Sequence, residues 1–95
     1  MSRHNLGPAR DQQCALCGSR ATNWHHRLNR SKGGPDDAFN LAPLCGSGTT
    51  GCHGWVTEHP REAEKVGMYI RGQMVRGVYM GPDESYRERY REDVA

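Results

Sequence analysis

Apolar residues in this chain fall in short clusters separated by polar and glycine-rich stretches. The first thirteen positions are polar and read as a flexible arm. Cys14-Ala-Leu-Cys17-Gly18 follows as a tight turn whose glycine lets the backbone bend. Ala21 to Leu28, with Thr22 and Trp24, has the composition of a short strand. Asn29 to Asp37 is dense in turn formers, so the chain must loop there. Phe39, Leu41 and Leu44 return as core anchors, and Pro43 limits any helix between Ala38 and Leu44 to the shortest kind. After Gly46 to Gly51 the pattern predicts a helix from Cys52 to His59, stopped by Pro60, and another turn or two from Arg61 to Val66, ended by Gly67. Met68 to Ile70 and Val75 to Met80 read as two short strands, the second ended by Gly81-Pro82. In the tail, Tyr86 and Tyr90 lie four apart, as do Arg87 and Arg91, which suits a helix with one aromatic edge and equally a frayed end. The fold class is α+β in one domain: an arm over 1–13, a core over 14–59, and an extension over 60–95 packed on or beside that core.

Composition narrows the picture. Only 35% of the 95 residues are hydrophobic, with 12 glycines and 5 prolines, so the core must be thin and the domain needs a staple. The N-terminal stretch, with Arg3, His4 and Arg10, has no apolar run for a secretory signal, and no segment reaches transmembrane length. The expectation is a cytoplasmic protein with no membrane partner. Thiols stay reduced there, so four cysteines read as zinc ligands before they read as disulfides. Net charge is +2, too small to prove a nucleic-acid partner, but its placement is informative. From Gln12 to Pro35 there is no Asp or Glu, while Arg20, Arg27, Arg30 and Lys32 all fall there, as phosphate neutralisation would require; a solvated basic loop reads the same way.

Cys14, Cys17, Cys45 and Cys52 fit a tetrahedral structural zinc site filled entirely by protein. The first pair has the usual two-residue spacing. The second has six intervening residues, and their glycine-rich makeup lets it close. Zinc there ties residue 14 to residue 52 and encloses the region between, so folding without it should be poor.

That region holds the pair His25-His26 and Asn40, with His53 just beyond Cys52. The ordered set Trp24-His25-His26-Arg27, Gly33-Gly34-Pro35-Asp36-Asp37, Asn40-Leu41, Leu44-Cys45 and Cys52-His53 resembles the HNH endonucleases, whose core is the ββα-metal (His-Me finger) fold. The resemblance covers residues 14 to 59 and is greatest to small phage-encoded HNH proteins with a four-cysteine zinc site. It implies a zinc-stapled ββα-metal domain with a short C-terminal extension, acting as a metal-dependent endonuclease on DNA. It implies His26 as the general base that takes a proton from water. His25, at a position often Asp in the family, and His53, on the helix, would hold the catalytic divalent ion. Asn40 would bond backbone and fix the loop that aims the base. It also implies a phage setting in a bacterial host cell, beside terminase subunits during packaging, or in homing or restriction.

The chemistry asks for the same residue types. Phosphodiester hydrolysis needs a deprotonated water, charge neutralised at phosphorus and a stabilised leaving oxygen. A neutral histidine can accept the proton near physiological pH. Two imidazoles favour Mn²⁺, Ni²⁺, Co²⁺ or Zn²⁺ relative to Mg²⁺. Arg27, Arg30 and Lys32 could hold flanking phosphates. In a regular strand His25 and His26 point to opposite faces, so they serve one site only if the strand bends or ends there. His59 reads as a helix-end surface residue, His4 as part of the arm, and Trp24 and Trp55 as core aromatics. The alternative is a non-catalytic zinc module that binds nucleic acid or protein. A zinc deaminase is excluded, because His-x-Glu and Pro-Cys-x-x-Cys are both absent.

Overall fold

The turn-rich stretch between Asn29 and Asp37 sends the chain back along itself, and the apolar segments on either side pair. In this computed structural model, which describes residues 6–88, β1 (Asn23–His26) lies antiparallel to β2 (Leu41–Leu44), with His25 opposite Ala42 and His26 opposite Leu41. Pro43 is tolerated because a two-stranded sheet has only edge strands; its carbonyl accepts from Ala15 N–H at 2.8 Å. Ala38 to Asn40 form a turn and the strand starts at Leu41, so the segment from Ala38 to Leu44 holds no helix.

Helix α1 (Gly51–Glu58) follows β2 and packs against it. It ends at His59, and α2 (Pro60–Lys65) starts with Pro60 in the first turn, where a missing N–H has no cost. Gly67, with φ at 80°, lies just beyond its end. Met68 to Ile70 is not a strand. Met68 N–H closes the end of α2 on Ala63 O at 2.8 Å, and the segment then passes beyond the end of β1, where Ile70 N–H bonds Arg27 O at 2.9 Å. The expected strand from Val75 to Met80 is also corrected: β3 (Gln73–Val75) and β4 (Val78–Met80) form a hairpin. Arg76 and Gly77 both have positive φ, 54° and 78°, as a two-residue primed turn requires.

Two apolar clusters result. Leu28, Ile70, Tyr79 and Tyr86 form one, with Phe39 and Met74 against it. Cys14, Leu44, Val56 and Ala63 form the other, joined by Cys45, Cys52, Met68 and Tyr69. The extension beyond residue 60 thus supplies part of each core. A further helical segment, 84–88, carries the buried Tyr86; Tyr90 and Arg91 lie outside the described residues, as does His4. Of the expected arm, residues 6–13 are tied down: Ala9 is buried in a single 3-10 turn, Ala21 N–H bonds Gln12 O at 3.0 Å, and Trp24 Nε1–H bonds Gly7 O at 3.0 Å.

Candidate active site and metal centre

The cysteine cage is assembled by two glycine turns. Gly18, at φ 81°, closes the first by donating to Cys14 O at 2.9 Å, and Cys14 N–H bonds Ser19 O at 2.6 Å. In the second, residues 46–51 fold back tightly, with Ser47 bridged to Thr50, which brings Cys45 and Cys52 together despite their spacing. The loop is docked on the start of β1 through Gly46 O, which accepts from Thr22 Oγ1 and Asn23 Nδ2 at 2.5 and 2.6 Å.

All four Sγ atoms lie within 4.8 Å of one another, and Cys17 and Cys45 are 3.7 Å apart with no disulfide formed. Metal–sulfur bonds of about 2.3 Å in a tetrahedron place sulfurs roughly 3.8 Å apart, so the four residues fit a metal ion. The backbone prepares thiolates for it. Burial opposes ionisation of Cys14, but N–H groups of Cys17, Leu16 and Cys45 outweigh it and bring the thiol to about 6. A bond from the Ser19 hydroxyl, 2.9 Å away, lowers Cys17. Burial raises Cys52, whose proton a bound cation would displace.

His25 and His53 meet edge to face, their ring centroids 5.1 Å apart, bringing β1 and α1 together at one point. His25 Nε2 lies 2.7 Å from Met68 O. A carbonyl only accepts, so Nε2 carries the proton and Nδ1 keeps a lone pair, the tautomer control common in metal-ligating imidazoles. His53 Nδ1 is buried and has no hydrogen-bond partner among the described residues. Burial lowers both histidines below the ordinary value, so both are neutral at physiological pH, as ligation requires.

His26 is the last residue of β1, and its ring turns toward the 29–37 loop, where Asp36 Oδ1 sits 2.6 Å from Nε2. A carboxylate accepts, so Nε2–H faces Asp36 and Nδ1 is left as the basic atom. Sequence reasoning placed Asp36 in the matching stretch and among the turn formers but gave it no role of its own. Asn40 is fully buried and locks this loop: Oδ1 accepts from Leu28 N–H at 2.8 Å, and Nδ2 donates to Leu28 O and Pro35 O at 3.1 and 3.0 Å.

The cations divide. Arg20, Arg30 and Lys32 are exposed. Arg27 instead turns inward, donating to Gly67 O at 2.8 Å and Phe39 O at 2.6 Å and lying over the Phe39 ring, so it fastens the extension to the core. His59 is exposed and stacks on Trp55, which is itself at the surface and not in the core, while Trp24 is half-buried. No helix among the described residues is long and apolar enough to cross a membrane. No protein-family model, curated protein or solved structure matches the chain.

Proposed function

We propose that this protein is a metal-dependent endonuclease of the HNH type, hydrolysing DNA phosphodiester bonds from a zinc-stapled ββα-metal domain. The observation that carries the reading is the meeting of His25 and His53 beside a histidine whose orientation is fixed by Asp36. His25 and His53 would hold a divalent ion through neutral imidazole nitrogens, Nδ1 being the one left free on His25. When bound, that ion neutralises phosphate charge and stabilises the leaving oxygen. His26 Nδ1 takes the proton from the attacking water, Asp36 holds the imidazole in the required tautomer, and Asn40 holds the loop that carries Asp36. The four cysteines would hold a structural zinc, since four sulfur ligands would leave it no open position.

Zinc-loaded protein incubated with supercoiled plasmid tests this, with no added metal or with Mg²⁺, Mn²⁺, Co²⁺ or Ni²⁺, beside a His26→Ala preparation. The parent should nick or linearise the plasmid, with the transition ions ahead of Mg²⁺, and the variant should lose on the order of 10²–10⁴ in rate. Equal cutting by both preparations would remove His26 as base. A folded, zinc-bound parent inactive with every metal would favour the binding-module alternative.

A further inference from the structure

The segment beyond α1 contributes more than packing. Pro60 and Tyr69 line two cavities at once. One, of about 260 Å³, is bounded by His25, Asn29 and Thr57 and so reaches the histidine site. The other, of about 640 Å³, is bounded by Arg61, Glu64, Lys65 and Arg71. The two cavities adjoin at Pro60 and Tyr69, and the lining of this trough runs from His25 to Arg71 along α2 and residues 69–71.

The charge of the trough is one-sided, three cations against one carboxylate. Glu64 already pairs with Arg71 at 3.0 Å, with side chains 38% and 61% exposed. An exposed pair of this kind is worth little, so an incoming anion can recruit Arg71 at small cost. Arg61 and Lys65 are four apart on α2, hence on one side of it, and neither forms an ion pair among the described residues. Past Arg71 the lining changes to Pro82 and Asp83, which ends the positive stretch. Tyr69 and Pro60 add an apolar wall. Cations lining one cavity beside an aromatic ring suit a polyanionic strand with flat bases. Arg27, the charge next to the histidines in sequence, is spent on internal carbonyls, so phosphates flanking the site need other partners.

We propose that this trough binds the phosphodiester backbone of DNA on one flank of the scissile phosphate. Arg61, Lys65 and Arg71 bind phosphates, and Tyr69 packs against a sugar or base. The flank assignment rests on the nuclease reading, whereas the binding itself does not. The test measures salt-dependent binding of a fluorescent DNA duplex by anisotropy. It uses zinc-loaded protein in a His26→Ala background so that nothing is cut, with plasmid cutting by the His26 parent assayed in parallel. Arg61→Gln with Lys65→Gln should weaken binding and reduce the slope of log K against log salt by about 2, one for each phosphate no longer neutralised. Arg61→Lys with Lys65→Arg, which keeps both charges, should keep the slope. In the cutting assay the double Gln variant should need more DNA for half-maximal rate and reach the parent's maximum. An unchanged slope in the folded Gln variant overturns the trough even if the parent cuts. A reduced slope with a parent that never cuts keeps the trough and removes the nuclease. A parent that neither binds nor cuts removes both.

Discussion

Asp36 Oδ1 sits 2.6 Å from His26 Nε2, and under the nuclease reading its contribution is separable from binding. Asp36→Asn keeps the shape and removes the charge that selects the Nε2–H tautomer. The expected result is a fall in maximal cutting rate of about 10–100-fold with unchanged half-saturating DNA, measured by plasmid cleavage under saturating metal. A variant as fast as the parent would show that His26 is aimed by other means. His25 and His53 make a second prediction, about pH. Both are held below the ordinary value of about 6.5 by burial, so at mildly acid pH the unfolded chain binds more protons than the folded one. Their stabilising contribution is therefore present above about pH 6.5 and is lost as pH falls toward the folded values. Urea midpoints of zinc-loaded parent and His53→Gln should converge between about pH 7 and 5.5, the parent falling more steeply; parallel curves would refute this. The histidines, Asn40 and the cysteines are legible in the sequence because their order and spacing are themselves the signal. Asp36 is not, because inside a run of turn formers it looks like its neighbour Asp37, which serves instead to accept from Asn40 N–H at 3.0 Å. Charge along the sequence also cannot reveal that the Arg27 guanidinium faces inward.

Among the elements, the 46–51 loop decides whether the second cysteine pair can join the first. Gly46 has φ at 86°, and a Cβ there would stand 2.1 Å from Thr50 O. Left-handed backbone alone costs a non-glycine residue about 1 kcal/mol, and the clash adds to it. Gly46→Ala should therefore weaken zinc binding about 10-fold or more, read by competition with a chromophoric chelator. Unchanged zinc retention would show that the loop does not set the cage. The same turn explains why a six-residue spacing that departs from the usual motif still closes. Local pattern failed most in the extension. Val75 to Met80 reads as one strand by composition, but Arg76 and Gly77 turn inside it, leaving Val75 at the end of β3 and Val78 to Met80 as β4. Met68 to Ile70 has β-forming residues and no strand edge to pair with, since β1 has already ended. In both places the outcome depends on what lies opposite, which a single segment does not encode.

Across the whole molecule, the two clusters draw on opposite ends of the β1–β2 pair. Leu44 at the end of β2 belongs to the cluster that carries three of the cysteines, and Leu28, two residues past β1, belongs to the cluster of Ile70, Tyr79 and Tyr86. Arg27 ties Phe39, packed against that second group, to Gly67 beyond α2. Loss of the cage would release β2 from the N-terminal turn, and with it the register that positions Leu28. Structural zinc contributes about 10–16 kcal/mol in small peptides, comparable with the entire stability of a domain, about 5–15 kcal/mol. Removing the ion should therefore unfold the chain as one unit. A strong chelator added to the loaded protein should abolish the near-ultraviolet signal of Tyr79 and Tyr86 together with the far-ultraviolet helix signal, in a single transition. Both tyrosines belong to the cluster without cysteines, so a tyrosine signal that survived zinc loss would mean the clusters fold independently. The reverse test uses the same coupling. Tyr86→Ala opens a cavity in the metal-free cluster, should cost about 3–5 kcal/mol, and should make zinc easier to extract although every cysteine is still present.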